Sequence, residues 1–81
     1  MLPAGYTLYG HVIDVCTGGD VNCGLQCLRN NVCRSYNCFA ADSLDTQLCQ
    51  LNNETRNSRP EDFNENQGST YVELMQVCIQ R

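Results

Sequence analysis

The chain has no lysine, no tryptophan, one histidine and only five arginines in 81 residues. Each scarcity removes a class of function. Nine carboxylates against those arginines give a net charge of −4, which supplies no basic surface for nucleic acid, heparin-like polyanions or anionic membranes. No apolar run reaches the roughly 18 residues of a membrane-spanning helix, so direct membrane insertion is not expected. With His11 alone, no Gly-x-Ser-x-Gly and no phosphate loop, nucleophilic and phosphoryl-transfer chemistry have no apparatus. His11 reads as a packing or surface residue of a strand, and no catalytic residue or cofactor is expected. Met1 to Gly5 shows neither a basic start nor an apolar core segment, so no signal peptide is visible.

Bulky core residues are also few, with two Phe and four Tyr. One domain of this length gains only a few kcal/mol from its core, and natural domains of this size usually recruit cross-links, metals or partners. The sequence supplies seven cysteines instead, five of them in the series Cys23-x3-Cys27-x5-Cys33-x4-Cys38-x10-Cys49. Such density is typical of small extracellular modules in an oxidising compartment. An oxidised module without an export signal is expected to be one domain, residues 1–81, cut from a larger secreted or surface-anchored protein. Asn53-Glu54-Thr55 is an N-glycan acceptor triplet and agrees with that setting.

Metal binding is the competing use of cysteine. Cys23, Cys27, Cys33 and Cys38 could surround Zn²⁺, but zinc sites usually join two short Cys pairs across a longer finger. Here the cysteines are almost evenly scattered and Cys49 would be left over, so disulfides are preferred. Glu54, Glu61, Asp62 and Glu65 crowd one polar stretch, yet their spacing fits no EF-hand loop. They read as a solvated acidic segment, and no metal is expected.

Tyr6 to Val15 reads as a first strand, with Tyr9, His11, Ile13 and Val15 on one face. Thr17-Gly18-Gly19 breaks it, and Asp20 is a candidate N-cap for a helix from about Val21 to Asn31. Along that helix Val21, Leu25, Leu28 and Val32 form an aliphatic stripe, with Cys23 and Cys27 beside it. Together they predict a wide buried face, part aliphatic and part sulfur, with Asn22, Gln26, Arg29 and Asn30 facing water. Gly24 costs about 1 kcal/mol against Ala in such a helix, which suggests that a strand packs close there. Strands are expected over Cys33–Phe39 and Gln47–Leu51, and a last one over Thr70–Val77. Between them Asn52–Ser69 is polar apart from Phe63. That stretch reads as a long connection anchored by Phe63, with Pro60-Glu61-Asp62 opening a helical turn.

Taken in order, His11-Val12-Ile13, Cys23-x3-Cys27-Leu28, Cys33-Arg34-Ser35-Tyr36-Asn37, Cys49-Gln50-Leu51-Asn52-Asn53-Glu54-Thr55-Arg56, Arg59-Pro60-Glu61-Asp62-Phe63 and Gly68-Ser69-Thr70-Tyr71 resemble the PAN/Apple module. The likeness covers about Leu8 to Leu74. It implies an α+β fold, a single disulfide-stapled domain with a curled antiparallel sheet of about five strands packed on one α-helix. It also implies bridges Cys23–Cys49 and Cys27–Cys33, whose loops would contribute about 3.5 and 2.4 kcal/mol on the chain-entropy model. Cys16 and Cys38 depart from the family pattern and suggest an extra bridge. Cys78 makes the count odd. It could stay unpaired, pair with Cys16 or a neighbouring domain, or link two chains into a disulfide-bonded dimer.

By the same likeness the chain is a non-catalytic extracellular interaction module whose partner is another protein or a glycan. Tyr9, His11, Tyr36, Arg56, Arg59 and Tyr71 are the candidate contact residues, since aromatic and arginine side chains anchor most interfaces. The aromatic pair Tyr36 and Tyr71 is equally suited to a core. The alternative is a small secreted effector, an inhibitor or toxin-like peptide, although the chain shows no rigid reactive loop. A purely structural spacer is a third reading.

Overall fold

Gly10 divides the first apolar stretch in two. In this computed structural model, which describes residues 4–43 and 46–74, Gly10 has φ +85°, a conformation that side-chain-bearing residues rarely adopt. The chain turns there, so the single strand expected over Tyr6–Val15 is instead β1 (Ala4–Leu8) and β2 (Val12–Thr17). The two lie at opposite edges of one open sheet ordered β1-β5-β3-β4-β2. Every neighbouring pair in it is antiparallel.

Gly18 and Gly19, with φ +102° and +95°, fold the chain back from β2 into α1 (Asp20–Arg29). The cap position is Gly19, not Asp20, and no side chain caps the helix. Asp20 sits in the first turn, where its carboxylate suits the positive end of the helix dipole and accepts a 2.7 Å hydrogen bond from the Tyr36 hydroxyl. Cys23 and Cys27 are fully buried against the sheet. Between them Gly24 is required by close approach, because a Cβ there would stand 2.9 Å from the Tyr36 hydroxyl.

β3 (Ser35–Phe39) and β4 (Leu48–Asn52) pair in register, with Cys38 opposite Cys49. A 3-10 turn covers Pro60–Asp62, and β5 (Phe63–Glu73) follows at once. The polar stretch is therefore shorter than expected: its last seven residues, Phe63 to Ser69, belong to β5. Asn64, Glu65 and Phe63 pair with Thr7, Tyr6 and Leu8 of β1, using backbone groups that carry no hydrophobic signature. Phe63 anchors the segment by stacking on Tyr6 at 5.1 Å and meeting Tyr71 edge-on at 4.9 Å.

The side chains of β3 alternate between two small cores. Tyr36 and Cys38 join Cys23, Cys27, Cys33, Cys49 and Leu51 beneath the helix, with Cys16, Val72 and Leu74 at the margin. Asn37 points the other way and brackets Leu8, accepting from its N–H at 3.0 Å and donating to its carbonyl at 2.9 Å. Ser35 and Asn52 share that second side, joined at 3.1 Å, and Ser35 donates to the Glu54 carbonyl at 2.7 Å.

Candidate interaction surface

The aliphatic stripe of α1 is not buried. Val21, Leu25, Leu28 and Val32 are 79, 47, 67 and 55% exposed. At 100° per residue Val21, Leu25 and Leu28 lie about 150° around the helix from the Cys23/Cys27 strip, and Val32 sits in the turn beyond the helix, which ends at Arg29. The expectation of one face holding both fails on width: Cys23 through Leu25 spans an arc of about 200°, more than a helix lying on a single sheet can cover. That excess was readable from the spacing. What decides which part is buried is Gly24, whose missing side chain lets the sulfur side approach the sheet. Val12, Ile13 and Val15 of the edge strand β2, with Leu48 of β4, are exposed as well.

The six candidate contact residues divide. Tyr36 and Tyr71 are buried, which takes both out of any contact surface. Burial first, then the neighbouring Asp20, pushes the Tyr36 hydroxyl above its usual pKa. Burial likewise raises Tyr71, which donates to Glu73 at 2.9 Å and accepts from the Arg56 N–H at 3.0 Å. Their rings fill the two cores because each hydroxyl finds a partner at the margin.

Of the other four, Tyr9, His11 and Arg59 lie at the turn that precedes β5, and Arg56 lies beside the end of β5. His11 meets Asp62 at 2.7 Å through Nε2, and the Tyr9 N–H donates to the Asp62 carbonyl at 2.9 Å. Tyr9 is exposed and accepts from the Asn66 amide at 3.1 Å. Arg56 lies 3.7 Å from Glu73, and Arg59 lies 4.0 Å from Glu54. These exposed pairs contribute little to stability. Asn53 is exposed, and its N–H donates to the His11 carbonyl at 3.1 Å.

Sulfur is arranged differently from the pairing that the family likeness implies. The structure bridges Cys27 to Cys33 and Cys38 to Cys49, and leaves Cys16 and Cys23 as thiols. Neither Cys23–Cys49 nor Cys16–Cys38 is formed. Strand register accounts for this: Cys38 and Cys49 stand directly opposite one another on β3 and β4, with Cα atoms 4.1 Å apart. Cys16 is opposite Cys49 on the other side. Burial, followed by the adjacent Cys16, pushes the Cys23 thiol up to about 12. Bridging Cys27, Cys33 and Cys38 also consumes three of the four thiolates that a zinc site would have used. Cys78 lies outside the described residues.

Among the described residues no helix is long and apolar enough to cross a membrane. Comparison with curated proteins and with solved structures returned no match. A scan of protein families did: the PAN domain matches residues 4–77. That span takes in both bridges, the helix and all five strands, and the chain belongs to the PAN domain family.

Proposed function

We propose that this chain is a non-catalytic extracellular module that recognises another protein through the exposed face of α1. PAN domains are in general protein- or carbohydrate-interaction modules, typically extracellular and disulfide-rich. One observation carries the choice of surface: Val21, Leu25 and Leu28 of α1 are all exposed, and Val32, in the turn just past the helix, is exposed with them. Folded monomers seldom expose such a row without a use for it. Helical anchors at this spacing are a recurrent mode of protein recognition, whereas sugar recognition depends on polar groups around an aromatic platform. Asn53 is a glycan acceptor in this reading, and its glycan would stand beside His11.

The test is a binding screen against secreted and surface ectodomains, run in parallel with a glycan array. The expected result is a protein ligand whose affinity falls at least about tenfold in Val21→Asp/Leu28→Asp, while His11→Ala binds normally. The circular dichroism of both variants should match the parent. A ligand found only on the glycan array would displace this reading. So would a protein ligand indifferent to the helix variant but lost with Tyr9→Ala, His11→Ala, Arg56→Ala or Arg59→Ala, since that result would move the contact to the turn around Asp62 or, with Arg56, to the end of β5.

A further inference from the structure

Cys16 and Cys23 are the two cysteines left as thiols among the described residues, and they are neighbours. The reversal through Gly18 and Gly19 lays the first turn of α1 back over the end of β2, with the Cys23 N–H bonded to the Gly19 carbonyl at 3.0 Å. Both sulfurs approach a single oxygen: the Thr17 carbonyl is 3.4 Å from the Cys16 Sγ and 3.9 Å from the Cys23 Sγ. Cys16 is half-buried at the surface margin and also accepts from the Asn22 amide at 3.5 Å, whereas Cys23 is sealed inside.

We infer that Cys16 and Cys23 are a closable dithiol, a third staple that joins the end of β2 to the first turn of α1. The co-reactant is a small-molecule disulfide such as oxidised glutathione. The Cys16 thiolate attacks one sulfur of that disulfide, which breaks the S–S bond, forms a mixed disulfide on Cys16 and releases one glutathione thiolate. Cys23 then attacks the Cys16 sulfur and closes the protein bridge, and the second glutathione leaves with the Cys23 proton. The net reaction turns two protein thiols and one oxidised glutathione into one protein disulfide and two reduced glutathiones. Exposure sets the order of attack, since an outside disulfide reaches Cys16 before the enclosed Cys23.

Closure is independent of any binding partner, so its test is separate from that of the recognition surface. The whole protein is equilibrated with oxidised glutathione, and a control is kept without it. Both are denatured in iodoacetamide without reductant, cleaved before Asp and after Arg, and analysed by mass spectrometry. Cleavage before Asp20 and after Arg29 separates Cys16 from Cys23 and both from Cys38. In the control Cys16 and Cys23 carry the label. After oxidation both labels vanish together, and the 14–19 piece is joined to 20–29, which still carries 30–34 through Cys27. Melting temperature rises by roughly 10 °C on closure, and the Cys16→Ser protein shows no rise. A control already holding the 14–19/20–29 linkage supports the staple equally. Persistent labels, glutathione retained on Cys16, or Cys16 joined to Cys38 or Cys78, would each overturn it, as would Cys23 joined to Cys49.

Discussion

Toward α1 the sheet presents sulfur and hydrocarbon; on its other side it presents amides, hydroxyls and rings. The first core is closed by Cys27–Cys33 and Cys38–Cys49, which act largely by restricting the unfolded chain. The second has no covalent link among the described residues. It holds Leu8, Tyr71 and the buried polar side chains of Ser35, Asn37 and Asn52, and depends on hydrogen bonds that are costly when one partner is lost. β3 serves both, sending Tyr36 and Cys38 one way and Ser35 and Asn37 the other. Two half-cores, each too small alone, are thus joined back to back through one strand. Failure should spread differently from each side.

Removing both bridges should have the largest effect. The Cys27–Cys33 and Cys38–Cys49 loops together contribute about 5 kcal/mol on the chain-entropy model, as much as the whole stability of many small domains. The variant with serine at Cys27, Cys33, Cys38 and Cys49 is expected to be unfolded at 37 °C. Because β3 belongs to both cores, hydrogen exchange should show the β1–β5 side losing protection as completely as the helix. Retained protection in β1 and β5 would mean that the second core is self-sufficient.

On the ring-and-amide side the expected damage is smaller and more local. Phe63→Ala removes the contacts at 5.1 Å to Tyr6 and 4.9 Å to Tyr71, and should cost about 3 kcal/mol in urea unfolding. Its signature is faster exchange in β1 and the first half of β5, while α1 keeps its protection. Asn37→Ala leaves the Leu8 N–H and carbonyl unpaired inside the protein, for a cost of about 2 kcal/mol. Equal acceleration throughout the chain in either variant would erase the distinction between the two sides.

Legibility in the sequence also divides between these regions. The helix, β3, β4 and the Pro60–Asp62 turn announce themselves through periodicity and the Gly and Pro residues that punctuate it, and their ends fall within about two residues of expectation. Phe63 stands out as the one large apolar residue of a polar stretch. The strand it opens does not stand out, because Asn64 and Glu65 pair with β1 through backbone groups while their side chains stay polar. The β1/β2 division turns on Gly10, which looks like any strand glycine until its φ is known. Which face of α1 is buried depends on Tyr36 meeting Gly24, and the Cys38–Cys49 pairing depends on β3/β4 register. Both are contacts between elements, and neither leaves a local pattern.

Gly24 permits the smallest and most exacting comparison, because one atom separates tolerance from clash. Alanine is favoured over glycine in a helix by about 1 kcal/mol. In this protein its Cβ would fall 2.9 Å from the Tyr36 hydroxyl, which is buried and committed to Asp20 at 2.7 Å. Gly24→Ala should therefore destabilise by about 1 kcal/mol, the propensity gain being outweighed by displacement of the ring and loss of the Asp20 bond. Tyr36→Phe removes that oxygen, and the nearest remaining ring atom is then 3.5 Å from the same Cβ, ordinary contact distance. On the Tyr36→Phe background, Gly24→Ala should become stabilising by about 1 kcal/mol, so the double-mutant cycle gives a coupling of about 2 kcal/mol. A coupling near zero would show that the helix can shift along the sheet to admit the methyl group, and that the sulfur side is less tightly seated than the opposite core.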